Sequence, residues 1–203
     1  QRLANPATWE QTNNPVVMTW NVLRGIPLPG GEIYGGGYDL SLLPTSVWMA
    51  SMNRCDAPVA IAGGGTEPSY RAGIEAVMTQ EPAQPLTEIL KACSATIADM
   101  GYAWTITVGA PGLPVYSFTD DDVIVSKSQT LDPFPSLSET YNAVSARYPA
   151  PKDLYETREA PLRTNGSAEA SDAFGRRTAS LTLPAAPYGG QVQRLTRAWL
   201  NDE

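Results

Sequence analysis

The sequence contains no histidine. This absence excludes Ser-His-Asp and Cys-His catalysis, histidine metal ligands and histidine pH switches. Cysteine is scarce too, since Cys55 and Cys93 are the only two. They are too few for a disulfide framework, and they do not form a Cys-x-x-Cys pair. Both lie in apolar, helix-like stretches, so we predict small core residues, with a disulfide between them as the alternative. Long apolar runs are also missing: none approaches the ~20 residues of a membrane span, and no membrane-spanning segment is predicted.

Positive charge is in short supply as well. The 203 residues include 14 basic and 21 acidic side chains, which gives a net charge of −7. Such an acidic chain is not expected to grip a phosphate backbone, although DNA could pass an acidic ring without binding to it. The apolar share of 42% is typical of a globular protein, and the 18 prolines and 17 glycines predict many turns. The chain starts at Gln1 without a methionine and stops just after a helical pattern, so we expect a piece of a longer protein.

Composition and periodicity predict an α+β fold of short helices packed on small mixed or antiparallel sheets. We divide the chain into a helical part, a compact α+β part, and a part with strands and a C-terminal helix: residues 1–60, 61–136 and 137–203. In the first part, Asn14 is the predicted cap and Pro15 the first residue of a helix that stops at Gly25. A second helix is predicted from about Pro44 to residue 55, and residues 26–38 between the two helices are predicted to be a loop.

The second part is predicted as strand, helix and strand. Residues 63–65 are three glycines and mark a turn. Residues 72–79 are the strand candidate, and residues 85–100 have the strongest helical pattern, with apolar side chains on one face. Apolar and polar residues alternate over 104–108, as in a half-buried strand, and we predict a hairpin with residues 115–118.

The third part combines two strands with a helix. Residues 141–148 and 180–183 are predicted strands, separated by a long polar excursion over residues 151–177. Residues 188–200 are predicted to be a helix with an apolar face. The two late strands are expected to require partners from outside the chain.

Acidic residues provide the candidate chemical sites. Three consecutive aspartates, residues 120–122, could bind a hard cation, but they lack calcium-loop spacing. We predict instead that Thr119 or Asp120 caps a short helical turn and that the other aspartates lie favourably at its positive end. Glu67, Glu75 and Asp56 could meet in space and supply the carboxylate pair of a cell-wall hydrolase, for which Glu67 and Glu75 are the candidates. Nothing in the sequence fixes their separation or places one in an apolar pocket, so solvated carboxylates are the favoured interpretation. No catalytic residue, cofactor site or metal site is predicted.

The remaining motifs are better explained by structure than by chemistry. The glycine triplets do not match a phosphate-binding loop, and Asn165-Gly166-Ser167 has no secretion signal to support glycosylation. Arg176 and Arg177 are predicted to be solvated or to protect a strand edge. Trp9 lies outside a clear predicted element, so its role is left open. The other four tryptophans fall on predicted apolar faces and are expected in the core: Trp20, Trp48, Trp104 and Trp199.

The order of several short motifs resembles that of a known family. These motifs are the Asn14-Pro15 helix start, Arg54-Cys55-Asp56-Ala57-Pro58-Val59, Gly64-Gly65-Thr66-Glu67-Pro68, the 85–100 helix with Cys93, Tyr141-Asn142-Ala143-Val144, and Gln-x-x-Arg-Leu in the last helix. Together they resemble the tail-tip attachment (host-specificity) protein of lambda-like siphophages and its relatives in gene transfer agents. The resemblance covers residues 14–200, and it rests on the order and spacing of the motifs.

This resemblance implies a structural, non-enzymatic virion protein. Members of that family form a trimeric hub that closes the tail tube, organises the tip and carries host-recognition parts. The late strands would then belong to barrel-like hub domains, and the partners would be other tail proteins and two further copies of the chain. The implied location is the tail tip of a virion assembled in the bacterial cytoplasm. A peptidoglycan hydrolase and a carbohydrate- or receptor-binding module are the alternatives.

A closed ring of three copies uses heterologous contacts, in which one surface patch fits a different patch on the neighbour. The glycine-rich loop over residues 26–38 carries apolar and aromatic groups without a periodicity of its own. We therefore predict Ile33, Tyr34 and Tyr38 as subunit contacts.

Overall fold

The computed structural model describes residues 11–109, 114, 116–122, 136 and 140–202. Over these residues the chain forms five α-helices and ten short strands, which confirms the α+β class. In chain order they are α1 Pro15–Arg24, β1 Ile26–Pro27, β2 Ile33–Tyr34, α2 Thr45–Asp56, β3 Pro58–Ala60, β4 Thr66–Pro68, α3 Ala83–Lys91, β5 Ala95–Asp99, β6 Trp104–Val108, β7 Ala143–Ala150, β8 Glu156–Glu159, β9 Arg163–Thr164, α4 Gly166–Ser171, β10 Thr178–Thr182 and α5 Gly189–Asp202. None of the sheets in the described part closes into a barrel.

Helix α1 begins and ends as its sequence predicts. The Asn14 side chain accepts hydrogen bonds from the backbone N–H groups of Val16 and Val17 at 3.1 and 3.3 Å, and Pro15 occupies the first turn. These contacts satisfy donors that have no partner inside the helix. The helix stops at Gly25, whose φ of 93° suits glycine.

Helix α2 also lies where it was predicted, and it packs on strand β6. The indole N–H of Trp48 donates to the carbonyl of Trp104 at 3.0 Å, and the Ser51 hydroxyl donates to the carbonyl of Ile106 at 2.8 Å. Strands β3 and β4 follow as an antiparallel hairpin, and Gly64 and Gly65 at its turn have positive φ. The predicted turn over residues 63–65 is therefore confirmed.

The predicted helix over residues 85–100 is wrong in its second half. Helix α3 ends at Lys91, Ser94 takes a left-handed φ of 46°, and the chain turns back as strand β5. Strand β5 pairs antiparallel with β6 along five residues, from Ala95 opposite Val108 to Asp99 opposite Trp104. The β-branched Thr96 and Ile97 suit a strand, and the apolar positions 93 and 97 fit a helical and an alternating period equally well.

Two further predictions for the middle part are also wrong. Residues 72–79 do not form a strand, because their backbone bonds go to separate segments: Ala72 N–H donates to Asn13 at 2.7 Å, and Gly73 N–H to Ala185 at 3.0 Å. Strand β6 takes β5 as its hairpin partner, and residues 116–118 are not in a strand. Val115, part of that predicted partner, lies outside the described residues.

The C-terminal part is a four-stranded sheet with β7 at its centre. Strand β10 pairs parallel with β7, while β8 and β9 pair antiparallel along its other side. The polar excursion over residues 151–177 therefore contains two strands and α4, and β7 finds its neighbours within the chain. Tyr188 precedes α5, and that helix confirms the predicted C-terminal helix.

Two principal groups of buried side chains hold these elements together. The tryptophan core joins α1, α2 and β6, and the partly buried Leu86 and Leu90 of α3 pack against it. Its buried members are Val16, Trp20, Leu23, Leu43, Trp48, Cys55, Cys93, Ile106 and Val108. The alanine core joins α3, the β7 sheet and α5 and consists of Ala72, Ile89, Ala92, Ala146, Ala160, Leu183, Ala185, Ala186, Val192 and Leu195. Helix α3 contributes to both cores, so it connects the two halves of the described chain.

Candidate functional site

The glycine-rich loop is ordered against the end of helix α1. The N–H groups of Gly36 and Tyr38 donate to the carbonyls of Val22 and Leu23 at 2.9 and 3.0 Å. A Cβ at Gly35 would lie 2.0 Å from the Val22 carbonyl oxygen, so only glycine allows this approach. The predicted loop therefore contains the β1–β2 hairpin and is tied to the helix by backbone hydrogen bonds.

The three predicted subunit contacts have different environments. Ile33 is 63% exposed, whereas Tyr34 is 6% exposed and packs inside the chain. Tyr38 is half-buried, and its ring centroid lies 5.3 Å from that of Trp104. Ile33 is thus accessible to a partner, and Tyr38 is accessible on one side. Tyr34 contacts the interior of its own chain. The predicted contact role of the three residues stays a prediction.

An apolar groove lies beside Tyr38, between the glycine-rich loop and helix α3. Its volume is about 400 Å³. Its walls are formed by Val22, Leu23, Gly35, Gly36, Tyr38, Pro82, Ala83, Leu86, Leu90, Ile97 and Trp104. We call this feature the α3 groove. Sequence reasoning found Tyr38 but missed the α3 side, because the apolar stripe of α3 was attributed entirely to the core.

The carboxylate candidates do not form an enzyme-like pair in the structure. Both oxygens of Glu67 accept hydrogen bonds from arginines, Arg71 at 2.9 Å and Arg194 at 2.7 Å. Glu75 and Asp56 are exposed. Glu67 therefore connects β4 to helix α5.

This ion pair belongs to a larger clamp on helix α5. The fully buried Gln191 side chain accepts from the Arg71 N–H at 2.9 Å, and donates to the carbonyls of Arg71 at 2.8 Å and Ala92 at 2.6 Å. The Arg71 guanidinium also lies 3.5 Å from the ring centroid of Tyr188. The Gln-x-x-Arg spacing thus fixes α5 against α3 and the segment after β4, which the sequence alone did not reveal.

The aspartate cluster forms the predicted short helical turn, and the carboxylate that bonds to the start of this turn is that of Asp122. Residues 120–122 form a single 3-10 turn. The Asp122 carboxylate accepts from the Thr119 N–H at 2.9 Å and from the Tyr116 hydroxyl at 2.8 Å, and these bonds lower the pKa of Asp122. Among the described residues, no group of three or more acidic or cysteine side chains is placed to hold a metal ion.

The two cysteines are buried free thiols, which confirms their core role and not the disulfide alternative. A hydrogen bond with Cys55, together with burial, raises the pKa of the Cys93 thiol. Both cysteines are buried members of the tryptophan core.

Arg176 and Arg177 are engaged in ion pairs. Arg176 pairs with Glu169 at 2.9 Å, and the Nε of Arg177 donates to Asp172 at 2.9 Å. The pair at Arg177 is partly buried, so it ties the crossover before β10 instead of forming a solvated basic spot.

The described tryptophans lie within the fold. Trp20 and Trp48 are buried, and Trp104 and Trp199 are half-buried. Trp9 lies outside the described residues. Over the described part of the chain, none of the helices is long and apolar enough to cross a membrane.

The family model described as "Putative phage tail protein" matches residues 70–203. The match spans α3, both hairpin strands β5 and β6, the whole β7 sheet, and the Arg71, Gln191 and Arg194 members of the α5 clamp. The chain belongs to this phage tail protein family. It is thus a structural component of a virion tail and interacts with other tail proteins. Among curated proteins, none matches the chain significantly.

Proposed function

We propose that this phage tail protein belongs to the hub of the tail tip. In this role three copies would form a ring that closes or guides the DNA conduit and supports host attachment. The observation that supports this role best is the α3 groove, because an accessible apolar groove of about 400 Å³ beside an ordered glycine-rich loop suits subunit packing. The net charge of −7 supports it too, since a conduit should repel its DNA cargo. The motif order likened above to host-specificity and gene transfer agent tail proteins agrees with this placement.

The location is tested by electron microscopy of particles labelled with antibody against this chain. Label confined to the distal end of the tail is the expected result. Label distributed along the tail tube, or label at the head-proximal end, would contradict the tip assignment and leave membership of the tail family unaffected.

We further propose that the chain acts without catalysis. Glu67 supports this, because both of its oxygens are occupied by arginines that anchor α5. Zymography on peptidoglycan tests the proposal, with Glu67→Gln and the exposed Glu75→Gln as matched variants. No clearing by any of the three proteins is expected. Clearing by the wild type that Glu67→Gln abolishes would establish the hydrolase instead.

A further inference from the structure

The β7 sheet has an open edge, which is formed by strand β10. Among the strands of the described part, β10 pairs with β7 alone. The Ala143 N–H donates to the Arg177 carbonyl at 3.1 Å, and the Leu183 N–H donates to the Arg147 carbonyl at 2.9 Å. Odd-numbered residues on the β10 side of this ladder therefore bond to β7, and the backbone groups of the even-numbered ones face away from it. These even-numbered residues are Thr178, Ser180 and Thr182.

The outward backbone groups of these three residues are free to pair. Within the described part of the chain, no hydrogen bond is made to them. All three residues are exposed, so another strand can reach this edge. Because each residue has one N–H donor and one C=O acceptor, three donors and three acceptors are available. Such a row of unpaired groups is a template for a further strand.

The two edges of the sheet differ in how they are protected. Strand β8, on the opposite edge, has the sequence Glu-Thr-Arg-Glu, and charged side chains of this kind hinder pairing with another strand. Strand β10 has the sequence Thr-Ala-Ser-Leu-Thr, which contains no charge and no proline. Strand β10 therefore lacks the side chains that keep β8 from pairing.

We propose that β10 of one copy pairs antiparallel with β10 of a second copy about a two-fold axis at Ser180. In this register Ser180 lies opposite itself, and Thr178 lies opposite Thr182 of the partner subunit. The three donors of each copy then meet the three acceptors of the other. The same three residues supply both halves of the contact, which is therefore isologous. Cross-strand pairs of threonine and serine stabilise antiparallel sheets.

Charges beside the strand do not oppose this pairing. The exposed Arg147 lies beside Thr182 in the register of β7 and β10. Because the axis passes through Ser180, the two copies of Arg147 lie at opposite ends of the contact. The two arginines that precede the strand are paired with acidic side chains: Arg176 with Glu169, and Arg177 with Asp172. Like charges are therefore kept apart in this register.

A small, incompletely buried apolar group lies next to the open edge. Its buried members are Val144, Ala179 and Leu200, and its half-buried members are Tyr141, Leu181 and Trp199. The side chains of Ala179 and Leu181 share one face of β10, opposite the face of the three outward residues. In the pair, Ala179 lies opposite Leu181 of the partner subunit, so the two apolar groups become neighbours across the axis. Their burial adds to the backbone hydrogen bonds.

The contact goes beyond the proposed hub function, because it joins two copies whether or not three copies form a ring. Sedimentation equilibrium of the full chain tests it, and the wild type is expected to form dimers as its concentration rises. Ser180→Pro removes an N–H that faces the open edge and leaves the bonds to β7 in place. It should weaken dimerisation at least about tenfold, because each copy loses a donor.

Thr157→Pro is the matched control, since it places proline in β8 at the other edge of the same sheet. Thr157 lies opposite Pro149 in the register, and its N–H does not face β7. This variant should dimerise like the wild type. Thermal unfolding of both variants verifies that the fold is intact. A monomeric wild type, or a folded Ser180→Pro that dimerises like the wild type, would overturn the proposal.

Cysteine cross-linking tests the register without proline. Ser180→Cys should form a disulfide-linked dimer under a mild oxidant, because residues opposite each other in such a pair have Cα atoms about 5.5 Å apart. Thr178→Cys alone should not, because four residues of strand, about 13 Å, separate it from its own copy across the axis. Mixing Thr178→Cys with Thr182→Cys should restore the cross-link. The native cysteines are buried and do not compete.

The outcomes separate the contact from the wider role. No cross-link from Ser180→Cys, or an equally strong one from Thr178→Cys alone, would contradict the pairing about Ser180. A monomeric chain with antibody label at the tail tip would remove the contact and keep the hub function. Dimers with label elsewhere on the tail would do the reverse.

Discussion

The two cores of this protein achieve cohesion by different means. The tryptophan core contains two indoles, three aliphatic residues from α1 and the segment before α2, and no alanine among its described buried members. In the alanine core, six of the ten described buried residues are alanines. Large side chains remove much apolar area from water, whereas small ones mainly let backbones approach closely. The alanine core compensates with the buried polar clamp around Gln191, so the first region depends on side-chain volume and the second on hydrogen-bond geometry.

The largest expected effect is the loss of volume in the tryptophan core. Trp48→Ala removes a fully buried indole and its hydrogen bond to the Trp104 carbonyl. We expect the free energy of unfolding to fall by about 3–5 kcal/mol in urea denaturation. Met49→Ala, on the exposed side of the same helix, should lower the free energy of unfolding by much less than Trp48→Ala. Equal losses for the two variants would show that the tryptophan core does not depend on this side chain.

Loss of the clamp is the corresponding test of the alanine core. Gln191→Leu keeps similar volume but leaves the backbone N–H and carbonyl of Arg71 and the carbonyl of Ala92 without their partner. We expect a loss of about 2–4 kcal/mol in the free energy of unfolding, since buried backbone groups are costly without partners.

Gln193→Leu is the matched control for this clamp, because Gln193 is exposed on the same helix. It should change stability by less than about 0.5 kcal/mol. If Gln191→Leu changed the free energy of unfolding as little as Gln193→Leu, packing alone would hold α5, and the contrast between the two cores would disappear.

Acid should weaken the C-terminal half more than the tryptophan core. The pKa of Asp172 is lowered by its hydrogen bond from the Phe174 N–H, with contributions from Arg177 and Asn142. A lowered native pKa gives stability that is complete above the unfolded value of about 3.9 and is lost as the pH falls through the native pKa. Asp172→Asn should therefore reduce stability at neutral pH and flatten the fall in unfolding free energy below about pH 4. Denaturant titrations from neutral pH to pH 3 measure this; an unchanged slope would contradict the assignment.

The smallest expected effect is a gain in stability. Leu154→Gly relieves one left-handed residue at the β7–β8 tip and removes a side chain that is 90% exposed. The free energy of unfolding, measured by urea denaturation, should rise by about 0.5–1 kcal/mol. A destabilised variant would mean that the tip supports the β7 sheet.

Local sequence signals predicted those elements whose ends carry their own chemistry. Helix α1 has its Asn14 cap, Pro15 and Gly25, and β6 shows strict alternation, so both were predicted correctly. The segment over residues 92–100 carried two compatible periods, and only pairing with β6 selected the strand. Residues 72–79 looked like a strand, but their backbone groups bond to the distant Asn13 and Ala185.

The candidate site was predictable only in part, for the same reason. Tyr38 stands in a glycine-rich loop without a periodicity of its own, and this signal identified one wall of the α3 groove. The opposite wall uses Leu86 and Leu90, whose helical spacing is the same whether they face a core or a cleft. The clamp partners Glu67 and Arg194 are 127 positions apart, and no local pattern indicates such a contact.

The sequence by itself determined the acidic charge, the absence of histidine chemistry, the capped first helix and the match over residues 70–203 to a phage tail protein family. Only the tertiary structure decided which apolar faces meet, where strand β5 begins and which carboxylate anchors α5. The physical reason is range: caps, turns and alternation act over a few residues, whereas strand pairing and buried polar contacts join segments that meet only when the chain has folded.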